Sequence, residues 1–139
     1  RSVARGAGAP RMAAPGAILE HEPRHVLIVE DNVFIAMEME QRVAECGCLP
    51  VGPAGSVAEG LDAVRRTRLD AAVLDINLGE ERVWPVADLL HAQSVPFLLA
   101  TGYSIAEIPH RFGDRIVLHK PVRPGVLERA LVDLGVVSD

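Results

Sequence analysis

The hydrophobic positions of this chain follow two alternating periods from His25 onward. Short continuous apolar runs are typical of strands buried on both faces, and apolar residues recurring every three or four positions are typical of helices with one buried face. Each apolar run is followed by a segment of helical periodicity, so the pattern predicts strands and helices in alternation. The predicted strands cover residues 25–29, 49–54, 71–75, 96–100 and 115–118.

Capping residues support most of the predicted helices. Asn32 is placed to cap the first helix, and Ser56 with Glu59 has the spacing of a capping box for the second. The fourth helix is different, because Pro109 and Gly113 leave room for only one or two turns. We therefore expect helix 4 to be short or irregular.

Strands that alternate with helices predict a parallel sheet covered on both faces. The expected architecture is a flavodoxin-like (βα)5 fold, a doubly wound five-stranded parallel sheet with strand order 2-1-3-4-5. Pro53 agrees with this order, because proline confines the second strand to a sheet edge. In this order ligands bind beyond the carboxyl ends of the first and third strands.

Acidic residues, a threonine and a lysine stand at the predicted strand ends: Glu30, Asp31, Asp75, Thr101 and Lys120. Three converging carboxylates repel each other unless a cation joins them, and Mg²⁺ prefers such oxygen ligands. One carboxylate then remains as a nucleophile toward a phosphoryl group. The lysine and the threonine hydroxyl are suited to contact phosphoryl oxygens. The pattern therefore predicts phosphoryl chemistry at this edge.

Composition restricts the remaining possibilities. Hydrophobic residues make up 49% and charged residues 24% of the chain, which is typical of a globular domain. A net charge of −5 argues against direct nucleic-acid binding. Two cysteines, Cys46 and Cys48, provide no disulfide framework, which fits the cytoplasm, and no apolar run has the length of a membrane span. Residues 1–24 are expected to form a flexible tail, and residues 25–139 the domain.

Several segments resemble the motifs of response-regulator receiver domains, the phosphorylation switches of two-component signalling. The similarity extends from about His25 to Leu134, nearly the whole predicted fold. The matching segments are 29–32 (Val-Glu-Asp-Asn), 73–78 (Val-Leu-Asp-Ile-Asn-Leu), 100–102 (Ala-Thr-Gly) and 119–121 (His-Lys-Pro).

The resemblance implies a Mg²⁺ site and a phosphate acceptor. Glu30 and Asp31 correspond to the acidic pair that helps to bind the metal, with Asp31 as the more direct ligand. Asp75 corresponds to the aspartate that takes the phosphoryl group and also contacts the metal. The backbone carbonyl of Asn77 would complete the metal site.

The resemblance also implies how the switch works. Thr101 would follow the phosphoryl group when the conformation changes, and Lys120 would pair with it. Pro121 would follow a cis peptide bond, an option specific to proline.

The chain departs from the usual receiver pattern at the fifth strand. Residues 116–118 (Ile-Val-Leu) include no aromatic ring, whereas typical receivers carry a switching Phe or Tyr there. The stretch 96–103 is instead similar to the branch named for its Phe-Ala-Thr-Gly-x-Tyr motif, although Leu99 replaces the Phe and Tyr103 directly follows Gly102. Two roles stay open for Tyr103: the missing aromatic switch, or a loop residue packed on the short fourth helix.

Three function classes compete. The first is a phospho-accepting receiver, a signalling switch rather than an enzyme, with at most self-phosphorylation and self-dephosphorylation activity. The second is a pseudo-receiver that binds partners without phosphorylation; such domains usually lose an acid or the lysine, and none is missing here. The third is a haloacid-dehalogenase-like phosphatase, whose nucleophile stands on the first strand in an Asp-x-Asp pattern that Asp75 does not match.

The receiver interpretation implies a histidine kinase or a histidine phosphotransfer protein as partner, and a monomer or weak dimer as the assembly. It leaves the downstream protein target open. Phe34 and Met37 lie off the core face of the first helix, near the acidic site. They are either an exposed anchor for the partner or part of local packing.

Overall fold

A computed structural model describes residues 22–102 and 107–138 of the 139-residue chain. The predicted tail over residues 1–24 lies outside the described residues except for its last three positions. The backbone already contacts the sheet there, because the Arg24 carbonyl accepts a hydrogen bond of 2.8 Å from the Leu49 N–H.

Five parallel strands form one sheet, and a hairpin of two short antiparallel strands stands apart from it. In chain order the strands are β1 (His25–Val29), β2 (Leu49–Ala54), β3 (Ala71–Asp75), β4 (Asn77–Leu78), β5 (Glu81–Arg82), β6 (Phe97–Thr101) and β7 (Val117–His119). The sheet order is β2-β1-β3-β6-β7, so the five sheet strands follow the predicted order 2-1-3-4-5. The flavodoxin-like fold is therefore confirmed.

Two of the five sheet strands differ from the prediction in their bounds. The fourth was expected over residues 96–100 and covers Phe97–Thr101. The last strand was expected over residues 115–118, but its register begins where Val117 pairs with Leu99 and ends at His119. The edge position of β2 agrees with Pro53, which follows a cis peptide bond.

The described helices are α1 (Val33–Glu45), α2 (Val57–Arg66), α3 (Trp84–Ala92) and α4 (Val126–Asp133). Side chains cap the first two as predicted: the Asn32 carbonyl oxygen accepts from the N–H groups of Phe34 and Ile35, and the Ser56 hydroxyl accepts from the Glu59 N–H. In the described residues between β6 and β7, a 3-10 helix (His110–Phe112) stands where a short fourth helix was expected.

A hydrophobic core lies on each face of the sheet. One face packs against α2, α3 and the 3-10 helix, around Phe97 and Phe112. The other packs against α1 and α4, around Met39, Val43 and Leu131. Within the described ranges, no helix is long and apolar enough to cross a membrane.

Candidate functional site

The parallel register brings the predicted site residues to one edge of the sheet. Val29 pairs with Leu74, and Thr101 pairs with His119, so the residues that follow these strands emerge side by side. An open cleft lies at this edge. Five of the residues that line it were predicted from the sequence: Glu30, Asp31, Asp75, Asn77 and Lys120. The others are Asn32, Ile35, Gly79 and Gly102.

Lys120 joins the two buried carboxylates of the cleft. Glu30 and Asp75 are each only 4% exposed, whereas Asp31 is exposed. The Lys120 ammonium lies 3.0 Å from Glu30 Oε1 and 3.2 Å from Asp75 Oδ2. The lysine therefore supplies a positive charge between groups that would otherwise repel each other.

The electrostatics of the cleft favour binding of a further cation. Burial and the neighbouring charge of Glu30 raise the pKa of Asp75 to about 7, against the opposing effect of Lys120. Burial alone would lower the pKa of Lys120, but its bonds to Glu30 and Asp75 leave that pKa raised. One lysine thus leaves the carboxylates only partly neutralised.

The donor set fits a hard divalent cation. One carboxylate oxygen from each of Glu30, Asp31 and Asp75 lies within 4.8 Å of the others. Mg²⁺ prefers oxygen ligands and usually binds through one or two carboxylates with water in its remaining positions. Asn77, whose carbonyl was predicted as a ligand, lines the same cleft, and its N–H donates to Asp75 Oδ1 at 3.3 Å. The residues present are therefore suited to hold Mg²⁺.

Two other predicted residues lie outside the lining of the cleft, and a third is not among the described residues. Thr101 ends β6, is 1% exposed, and is absent from the lining of the cleft; its carbonyl accepts the Lys120 N–H at 2.9 Å. Pro121 follows a cis peptide bond and lines a neighbouring groove beside α1. Tyr103, the candidate aromatic switch, lies outside the described residues.

The β4–β5 hairpin contributes to the site and was not among the elements predicted from the sequence. The Gly79 N–H donates to Asp31 Oδ2 at 2.9 Å, and Glu81 Oε1 accepts from the Val57 N–H at the start of α2 at 3.1 Å. A Gly-Glu pair between Leu78 and Glu81 is the signal that would have predicted it, because glycine favours the first position of a two-residue hairpin loop. Gly79 has the positive φ, 63°, that such a loop uses.

An apolar surface borders the cleft on the first turns of α1. Val33 is 65%, Phe34 82% and Met37 58% exposed. We call these three residues the α1 apolar surface. They do not pack locally against the core, so of the two interpretations of Phe34 and Met37 the structure supports exposure.

Solved structures similar to this chain are receiver proteins. The solution structure of SdrG from Sphingomonas melonis Fr1 is 40% identical, covers 83% of this chain and 98% of SdrG, and has a TM-score of 0.73. A second solution structure, the BeF3-activated conformation of SdrG from Pseudomonas melonis Fr1, is 42% identical, covers 81% and 96%, and has a TM-score of 0.68. The receiver domain of the response regulator PhyR from Erythrobacter litoralis is 23% identical, covers 81% and 89%, and matches in fold with a TM-score of 0.73.

Sequence similarity to curated proteins is weaker. The transcriptional regulatory protein PdtaR of Mycobacterium tuberculosis is 24% identical over 103 residues, which are 73% of this chain and 50% of PdtaR. The chain thus spans about half the length of the curated relatives it matches. No protein-family model matches the chain. The fold, the acidic cleft with its lysine, and 40% identity to SdrG over nearly its whole length place the chain in a known family. It belongs to the receiver domains of response regulators, the signalling proteins of two-component systems.

Proposed function

We propose that Asp75 accepts a phosphoryl group in a Mg²⁺-dependent reaction and that Thr101 and Lys120 act on the bound phosphoryl group. The observation that carries this proposal is the position of the Asp75 carboxylate, which faces the acidic cleft with the Lys120 ammonium 3.2 Å from it. The BeF3-activated conformation of SdrG supports it, because BeF3⁻ mimics a phosphoryl group and SdrG is 42% identical to this chain.

The transfer is an in-line displacement at phosphorus. An oxygen of ionised Asp75 forms a bond to phosphorus while the bond from phosphorus to a nitrogen of the donor histidine breaks. The released imidazole carries a proton on that nitrogen and leaves as a neutral ring. Mg²⁺, when bound by Glu30, Asp31, Asp75 and the Asn77 carbonyl, supplies charge neutralisation. The Lys120 ammonium donates to a phosphoryl oxygen, and its ion pair with Glu30 weakens as it does so.

The partner that donates the phosphoryl group is, in this proposal, a histidine kinase or a histidine phosphotransfer protein of the cytoplasm. The α1 apolar surface beside the cleft gives such a partner a place to dock. Phosphorylation then shifts a two-state equilibrium, because the charged group interacts with Thr101 and Lys120 more strongly in the active state. We propose Tyr103 as the aromatic residue that moves with Thr101.

Mass spectrometry of the intact protein tests the acceptor and its metal together. After incubation with acetyl phosphate and Mg²⁺, we expect one phosphoryl adduct on the wild-type chain. Asp75→Asn and excess EDTA should each abolish the adduct, whereas Asp62→Asn, a change of an exposed aspartate on α2, should leave it in place. An adduct that persists in Asp75→Asn would contradict the assignment. No adduct on a wild-type protein that binds Mg²⁺ would favour the pseudo-receiver hypothesis.

Trp84 should report on the site by fluorescence. It is the one tryptophan of the chain, begins α3 after the hairpin, and stacks on Phe112 with ring centroids 5.9 Å apart. A conformational change around residues 101–112 should alter this stacking, so BeF3⁻ with Mg²⁺ should change the emission of the wild-type protein. The Asp75→Asn protein is the control, and an equal change in it would show that the signal does not come from the acceptor.

A further inference from the structure

The N-terminus of α4 is held by a residue from another helix. Its N-cap, Gly125, has φ 87° and provides no side-chain hydrogen bond to the first turn. The loop before it, residues 120–125, also carries the site lysine. Without a capping side chain, the N–H groups at this end of the helix and the loop before it can be held by contacts from other parts of the chain.

Arg42, near the end of α1, makes contacts of this kind. Its guanidinium donates to both carboxylate oxygens of Glu128 in the first turn of α4, at 3.1 and 3.0 Å. It also donates to the Val122 carbonyl at 3.0 Å and to the Arg123 carbonyl at 2.9 Å. The side chain is only 11% exposed, and its bonds lower the pKa of Glu128. We call this set of contacts the Arg42 clamp.

The clamp closes directly beside Lys120. On the strand side, the Lys120 N–H is bonded to the Thr101 carbonyl at 2.9 Å. On the other side, one residue, Pro121, separates Lys120 from the first clamped carbonyl, that of Val122. Arg42, Lys120 and Pro121 also line one groove between α1 and this loop. The backbone of the lysine is therefore fixed at both ends.

We propose that Arg42 is a positioning residue for phosphorylation: by holding the Val122 and Arg123 carbonyls, it places the Lys120 ammonium toward Asp75. This inference rests on the proposed function of Asp75. Arginine suits the role better than lysine, because its planar fork serves a carboxylate and two carbonyls at once, whereas a lysine is a single point charge. The clamp thus contributes to the chemistry without touching the phosphoryl group.

Single variants test the placement. With saturating phosphoramidate and Mg²⁺, Arg42→Met should lower the maximal rate of Asp75 phosphorylation by about tenfold. The half-saturating donor concentration should change little. Arg42→Lys should recover part of the rate. Glu128→Gln, which keeps both carbonyl contacts, should retain most of it. Arg66→Met is the matched control, since Arg66 is an exposed arginine that pairs with Asp62 within α2. If Glu128→Gln lowered the maximal rate as much as Arg42→Met does, the inference would be overturned.

A double-mutant cycle separates positioning from a general loss of stability. If Arg42 acts through Lys120, Arg42→Met should have no further effect in a Lys120→Met background. Two quantities are measured for each variant: the rate of Asp75 phosphorylation, and the affinity for BeF3⁻ by ¹⁹F NMR. The affinity remains measurable when the reaction is slow. If Arg42→Met had equal effects in both backgrounds, or a wild-type rate by itself, the positioning role of Arg42 would be rejected while the proposed function of Asp75 would stand. A wild-type protein that is not phosphorylated would instead reject the proposed function.

Discussion

Replacement of Lys120 by methionine is expected to slow phosphorylation of Asp75 by about 100-fold. Methionine has a similar length but no charge, so nothing at this position neutralises the phosphoryl oxygens as the bond to Asp75 forms. The rate of adduct formation with acetyl phosphate and Mg²⁺, followed by intact mass, measures the effect. A rate within about threefold of wild type would exclude the lysine from the reaction, since that difference corresponds to less than about 1 kcal/mol.

The same variant should also be less stable without Mg²⁺. Glu30 and Asp75 would face each other without their shared cation, so we expect the free energy of unfolding to fall by about 2 kcal/mol. Added Mg²⁺ should raise the unfolding midpoint of Lys120→Met more than that of wild type, because it replaces the missing positive charge. Lys120→Arg, which keeps that charge, is the control. Equal Mg²⁺ responses in both variants would argue that the cation binds away from these carboxylates.

Replacement of Phe112 by alanine is expected to lower the free energy of unfolding by about 3–5 kcal/mol. The Phe112 ring is 1% exposed and lies between the rings of Trp84 and Phe97, with centroid distances of 5.9 and 5.4 Å. Truncation would leave a cavity lined by aromatic faces and would also remove the apolar side chain that attaches the 3-10 helix to α3. Urea unfolding followed by circular dichroism measures the change.

Phe34→Ala is the matched control for this prediction. Phe34 is 82% exposed, so the same truncation should change the stability by no more than about 0.5 kcal/mol. Phe112→Leu, which fills most of the volume, should lose less than Phe112→Ala. If Phe112→Ala were as stable as Phe34→Ala, the 3-10 helix would not be held by this ring.

Local signals in the sequence were sufficient for most of the fold. The apolar run before Asp75 is buried along its whole length, and β3 has the predicted bounds. Ser56 and Pro53 act where they were expected, at a helix N-cap and in an edge strand. The convergence of the site residues was predicted from the parallel sheet, because Glu30, Asp75 and Lys120 can meet only if their strands run in the same direction.

Interactions between residues distant in sequence could not be predicted in the same way. Arg42 and Glu128 are ordinary helix residues in the sequence, and nothing local indicates that they form a bidentate pair across 86 positions. The contact of Gly79 with Asp31 has the same character, because the Gly-Glu pair indicates a hairpin loop but nothing local places that loop beside Asp31. The capping-box prediction was also only half right, since Glu59 accepts from Gly55 rather than from Ser56.

Helix α1 has the acidic pair immediately before its cap at Asn32 and the Arg42 clamp near its other end. Each added or deleted residue in a helix turns everything beyond it by about 100° and shifts it by about 1.5 Å. An insertion or deletion between Asn32 and Arg42 would therefore point the guanidinium away from α4 while leaving the cleft intact. The length of α1 in residues is therefore constrained between Asn32 and Arg42, a constraint that the loop after the helix, residues 46–48, does not share. Homologous chains should vary in length within the loop after α1 and not within this stretch of helix.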